Sequence, residues 1–352
     1  MARRYPWPAL AAVFSACLLL AGWAGPCYLA HVAKGQLSLL WHRRPIKKVL
    51  KDPGVAPRLK GLLSQIDAVK AFGSEHGLKP TPNFRDYVQL DRPAVTWVVS
   101  ASKPLKFEPK VWSFPIAGSV TYLGWFDLKK ASACAADLDQ QGWDSDLRGA
   151  SAYSTLGWFR DPVLSSMIAD GPEAEGELAQ TILHESLHAT LYVKNQTAFD
   201  ESLADWVGDR LAGEYLARKA GSEEEKAWLD LQQWRKRQAK FVGRAYAELE
   251  TLYSSDKGEA EKKSGKEKVL QNLRQELGLR GRLNNASLIM EKSYESGGPE
   301  LDLLFEVCGE DWSRFLGALK TLGPKSFARP QEDDFSSEIN ALSKADCPRV
   351  SR

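Results

Sequence analysis

The sequence predicts an α+β protein, with a small, mainly antiparallel sheet stacked against one helix and a mostly helical lobe after it. Three observations predict this. Residues 80–126 are rich in Pro, Thr, Val, Trp and Tyr and hold strand-like runs. Residues 177–209 carry apolar positions at helical spacing, and beyond them almost every stretch reads as helix. The 352 residues, 43% hydrophobic and 26% charged, are enough for one large core or two lobes. A net charge of +2 selects no partner, and the absence of a basic, aromatic-interleaved surface argues against nucleic acid.

Arg3 and Arg4 precede an uncharged stretch from Tyr5 to Ala30 that is long enough for a signal peptide or a membrane anchor, so residues 1–30 form a unit at a membrane. Cys17 and Cys27 are candidate lipidation points. Lys34, His42, Arg43, Arg44, Lys47, Lys48 and Lys51 follow directly, a balance that for an uncleaved helix favours the cytoplasmic side. Among Cys134, Cys308 and Cys347 at most one intramolecular disulfide can form, and their spacing suits no metal site.

From Gln36 to Leu78 the pattern is helical, with Leu59, Leu62, Leu63, Ile66 and Val69 on one stripe and Gly77 near the stop. AVTWVVS, KVWSFP and SVTYLGWF read as strands, residues 127–143 as helix, and 150–159 as a further strand. That last strand either stands at an edge or sits inside the core with Trp158 and Phe159. Residues 217–255 form a long amphipathic helix and 254–268 a charged, flexible connection. Residues 299–322 give two closing helices, and the tail from Gly323 is irregular.

The chemistry is concentrated in ELAQTILHESLHATLYVKNQTAFDESLADWVGD, residues 177–209. His184 and His188 are four residues apart, so on a helix both imidazoles leave one face and can close on a single metal ion. Glu185 between them is a candidate general base. Two histidines leave a catalytic zinc one protein ligand short, and Glu201 is the next candidate. The first helix is expected to end at about Tyr192 and the chain to turn through 193–196. A second helix then begins, with Thr197 as N-cap and Asp200 at N3. Asp205, one turn past Glu201, is placed to accept a histidine N–H and fix its tautomer. The boundary between an α+β part (31–195) and a helical lobe carrying the third ligand (196–352) falls in that turn.

HESLHATLYVKNQTAFDESLADWVG resembles the gluzincin branch of zinc metallopeptidases. More narrowly it resembles a bacterial family of predicted aminopeptidases, whose members look like H-E-x-x-H-x-x-x-Y-V-K-x-x-T-A-F-x-E-S. The similarity extends to GQLSLLWHRRPI (35–46), LDRPAVTW (90–97), AYSTLGWFRDPVLS (152–165) and LNNASL (283–288). It departs where family members commonly carry cysteine and this chain has Ser113 and Ser119.

The resemblance implies a zincin-like fold and one Zn2+ per chain held by His184, His188 and Glu201. Glu185 would be the base and Asp205 the acid that follows the third ligand. It also implies a peptide substrate and export to the periplasm or membrane, as in relatives that resemble lipoproteins. A donor to the developing oxyanion is required as well, and the candidates are Tyr294, then Tyr153. The expected function is a zinc-dependent peptidase in the bacterial envelope, with aminopeptidase action following from the family's name. The alternative is an envelope binding or scaffold protein that keeps the zinc fold without turnover. Cleavage from the end or the middle of a peptide, and oligomeric state, stay open at this point.

Overall fold

The computed structural model describes residues 26–114, 118–152, 160–279, 281–293, 297–330, 332, 334–345 and 347. Residues 1–25 of the expected leader with Cys17, most of the 150–159 strand, Tyr153 and Tyr294 lie outside them.

The chain opens with helix α1 (Pro26–Trp41), strand β1 (Arg44–Pro45) and three short helices: α2 (Ile46–Lys51), α3 (Pro57–Ser64) and α4 (Ile66–Glu75). The predicted apolar stripe is what α3 and α4 bury, through Leu62, Leu63, Ile66, Val69 and Phe72. Gly77, at φ 87°, makes the left-handed stop for which glycine carries no Cβ penalty.

Strands β2 (Asp86–Val88), β3 (Thr96–Ser102), β4 (Trp112–Phe114), β5 (Gly118–Val120) and β6 (Tyr122–Trp125) follow; β3 and β4 fall in two of the runs read as strands, the run SVTYLGWF divides between β5 and β6, and β2 lies outside those runs. Helix α5 (Leu128–Gln140) starts at Asp127, whose carboxylate accepts the Lys130 N–H at 3.1 Å. After β7 (Asp144–Ala150) and β8 (Val163–Leu164) the chain is helical.

A single small sheet was expected. Among the described residues the strands instead form two three-stranded sheets and the β4–β5 pair. The sheet β6-β3-β7 is antiparallel throughout, with Val99 opposite both Leu123 and Leu147. Its own small core, Val99, Ala101, Ala131, Ala135 and Leu138, lies against α5. The other sheet, β1-β2-β8, is mixed, because β2 and β8 run parallel. That mixed sheet, through Tyr87, Val88, Val163 and Leu164, shares the main core with α6 (Ala174–Thr190), the helix of His184. The larger sheet packs on α5, whereas the histidine helix packs on α3 and α4 and shares its core with the smaller sheet.

Helices α7 (Thr197–Ala217), α8 (Glu223–Ser254), α9 (Glu259–Leu277), α10 (Asn285–Ser293), α11 (Gly298–Val307), α12 (Trp312–Leu319) and α13 (Ser336–Lys344) complete the chain. Two expectations fail here. The charged run 254–268 is helical from Glu259, because Lys266 is buried. Its ammonium pairs with the Asp144 carboxylate and donates to Pro104 O at 2.9 Å. The tail is not wholly irregular either. Helix α13 follows Phe335 and places Ile339 in the core, and a Cys308–Cys347 disulfide ties the segment to the end of α11.

The LNNASL run joins α10 to β7 over the same spot as Lys266. Asn285 N–H donates to Asp144 at 3.0 Å and the Asn284 amide to Ser145 O at 2.6 Å. Buried polar groups satisfied in this way cost little, whereas a lone Lys266 ammonium would cost several kcal/mol by estimates of about 3–5 for a broken buried pair.

Candidate metal centre

Helix α6 is anchored from below by Leu178, Ala179, Ile182, Leu183 and Leu187, all buried, and this fixes the rotation that presents His184 and His188 together. The helix ends at Thr190, two residues before the expected stop near Tyr192, and Leu191 is extended. A tight connection follows in which Asn195 takes φ 64°. Gln196 is buried, donating to Arg329 O at 2.8 Å and accepting Glu332 N–H at 3.0 Å, so the C-terminal segment clamps the turn.

The cap differs in detail from expectation. Thr197 is the first helical residue and Gln196 occupies the N-cap position. Asp200 is buried and reaches back to accept the Val193 N–H at 2.8 Å. Its second oxygen is buried with no hydrogen-bond partner, and burial pushes the carboxyl up to about 7.

Along α7, Glu201, Asp205 and Gly208 recur at intervals of four and three, so they share the face turned toward α6. Gly208 allows the approach. A Cβ there would stand 3.0 Å from the Gln180 carbonyl oxygen and 3.3 Å from His184 Cβ.

The structure brings His184, His188 and Glu201 together, with one possible ligand atom from each lying within 4.8 Å of the others. Nε2 of His184 is 3.1 Å from Nε2 of His188, and each lies near a different oxygen of Glu201, at 3.5 and 3.6 Å. Two ligand atoms at zinc–nitrogen distances in a tetrahedral shell stand about 3.3 Å apart, so the three side chains fit one small cation. Nδ1 of His184 lies 2.8 Å from Asp205 Oδ1. A carboxylate only accepts, so Nδ1 carries a ring proton, and Nε2, which faces Glu201 and His188, is the atom left to ligate a metal.

The electrostatics agree with a site built for a positive charge. Burial pulls the His184 imidazole down, but Asp205 and Glu201 outweigh it and raise it to about 10. Burial pushes Glu201 the other way from its partners, and the two imidazoles prevail and hold it far below the carboxylate range. Glu185 is raised by burial. The two histidines oppose that rise, and Asp161 and Glu201 add to it.

Several groups around the site carry no motif in the sequence. Gln180 donates to Asp205 at 3.4 Å. Asp209, raised to about 6 by burial, sits one turn past Asp205 and pairs with Arg235 of α8 at 3.4 Å. Arg235 also reaches Glu177 of α6 at 3.1 Å, so one guanidinium ties both site helices to α8. The Tyr122 phenol, on the edge strand β6, is raised by burial and by the charge of Glu201. A helical i, i+4 extension from Asp205 would have found Asp209. Nothing local marks Tyr122 or Arg235.

A family model described as "Putative aminopeptidase" matches residues 27–332. No curated protein and no solved structure matches the chain.

Proposed function

The chain belongs to the family described as "Putative aminopeptidase", and from that membership we propose that it is a zinc-dependent peptidase of the cell envelope. The single observation that carries the metal part is the convergence of His184, His188 and Glu201 on one point. Zinc bound there would act as a Lewis acid on the scissile carbonyl and on the attacking water.

The chain's own residues do the rest. Glu185 Oε takes the proton of the water and delivers it to the nitrogen of the departing amine, a task suited to a carboxylate whose burial raises its basicity. Asp205 holds His184 in one tautomer so that Nε2 stays a donor of electrons. Envelope location is supported by the uncharged stretch Tyr5–Ala30 and by the Cys308–Cys347 disulfide, a bond that persists in oxidising compartments. Among the described residues no helix is long and apolar enough to cross a membrane.

The test combines metal analysis of the purified full chain with cleavage mapping of a peptide library. One zinc per chain and products shortened by one residue at the amino end are expected. Stoichiometric zinc with an intact library would instead indicate a binding protein that keeps the fold without turnover. In the same assay Glu185→Gln should retain the metal and lose at least about a hundredfold in kcat, the low end of general-base contributions. A fully active Glu185→Gln would remove that residue from the mechanism.

A further inference from the structure

Helix α1 has two faces of opposite character. Tyr28, His31, Gly35 and Leu39 recur at intervals of three and four and turn inward. The Tyr28 hydroxyl donates to Gly124 O at 3.2 Å, His31 Nε2 accepts the Phe126 N–H at 3.0 Å, Gly35 meets the Phe126 ring, and Leu39 is buried in the main core. One face of the helix is therefore seated on the outer side of edge strand β6 and the residue after it.

The opposite face carries Lys34, Leu37, Ser38 and Trp41. Leu37 is 65% exposed and Trp41 88% exposed, the two most exposed large apolar side chains among the described residues. Singly scattered apolar residues on a surface need no explanation. These two share a helix face one turn apart, on a helix whose first residues, from Pro26, are the end of the uncharged Tyr5–Ala30 stretch.

Along the sequence on either side of them the charge has one sign, and the Asp127 carboxylate lies by His31 of the inward face. No acidic residue precedes Asp52, and Lys34, Arg44, Lys47, Lys48 and Lys51 are all exposed. Asp52 itself is taken by Arg44 at 2.5 Å.

We propose that this face of α1, with the basic residues after it, lies flat on a bilayer surface rich in anionic phospholipid. Trp41 and Leu37 enter the boundary between headgroups and acyl chains, where an indole is well placed to keep its N–H wet and its ring dry. Lys34 lays its methylenes along the same boundary, and Lys47, Lys48 and Lys51 meet the phosphates. Because the inward face is fixed on β6, the bilayer also sets the orientation of that sheet. The inference rests on the membrane part of the proposed function, and flotation is measured beside it to separate the two.

The full chain is reconstituted into phosphatidylcholine vesicles with and without phosphatidylglycerol. Hydroxyl-radical oxidation is then read residue by residue by mass spectrometry, with Trp234 of α8, 42% exposed, as the reference. With phosphatidylglycerol, Trp41 oxidation should fall roughly tenfold relative to Trp234, since a side chain sunk about 5–10 Å into the headgroup boundary is out of reach of aqueous radicals. The triple variant Lys47→Glu, Lys48→Glu, Lys51→Glu should return Trp41 most of the way to the Trp234 rate. A chain that floats with the vesicles while Trp41 stays as reactive as Trp234 overturns the proposal and leaves membrane association standing. A chain that does not float overturns both. Protection that persists without lipid and grows with protein concentration places a second copy on this face, and also overturns it.

Discussion

Asp209 shows at the scale of one side chain how the site depends on groups that never touch the metal position. Its carboxyl is raised from 3.8 to about 6, first by burial and then by the charge of Asp205, against the pull of Arg235. A raised acid holds more protons folded than unfolded, so between about pH 4 and pH 6 stability falls as pH rises, and it levels off above that. In chelator, Asp209→Asn should match the parent near pH 4 and gain on it up to about pH 6. The difference should be about 1–2 kcal/mol once solvent screening of this partly exposed group is allowed for. Thermal unfolding of both proteins across that range reads the difference. A gap independent of pH would mean that the group titrates normally. Glu185 and the two histidines were legible because their chemistry is written in five consecutive residues. Asp209 was not, since an aspartate on a helix is ordinary until its surroundings bury it.

Between elements, the decisive contact is the seam of α6 and α7. His184 and His188 face Glu201, Asp205 and Gly208, and the helices come close enough because position 208 has no side chain. Gly208→Ala would force a methyl toward the Gln180 carbonyl, a backbone atom that cannot swing aside. Overpacking of this kind costs about 1–3 kcal/mol. The larger effect is expected on the metal, because α7 moved outward carries Glu201 away from the imidazoles. Competition with a fluorescent chelator should show zinc affinity weakened about 10–100-fold, the range seen when support of metal ligands is lost. An unchanged affinity with a lowered Tm would show that the seam bends elsewhere. The stripe 201, 205, 208 could be read from spacing alone, but the need for glycine at its end could not. The run 254–268 was misread for a related reason. Its polarity suggested solvent, and the partner that buries Lys266 is Asp144, far away along the chain.

Across the whole molecule, one core runs from Leu39 to Cys347, and its last part is held by Cys308–Cys347. The bridge closes a sequence separation of 39 residues. By the chain-entropy argument that is worth about 4 kcal/mol. Cys308→Ser with Cys347→Ser should therefore lower Tm by several degrees and expose the tail beyond α12 to proteolysis. The clamp of Arg329 and Glu332 on Gln196 belongs to that tail, so the double variant should also bind zinc more weakly. If Tm and the proteolytic pattern both stay as in the parent, the tail is held by Phe335 and Ile339 without the bridge.

The sequence by itself singled out His184, His188 and Glu201 as one candidate cluster, and it determined the α+β character, most helix and strand positions and the limit of one disulfide. The histidine pair and the helix and strand positions rest on relations within a turn or two of chain, where periodicity leaves little freedom, Glu201 follows after one short connection, and the disulfide limit is a count of cysteines. Only the tertiary structure decided that the strands divide into two small sheets and that Cys308, not Cys134, pairs with Cys347. The same holds for the ties of Arg235 to Glu177 and Asp209, and for the exposed face of α1. Those depend on which elements meet across separations of tens to more than a hundred residues, and a local pattern carries no record of which neighbour packing will bring.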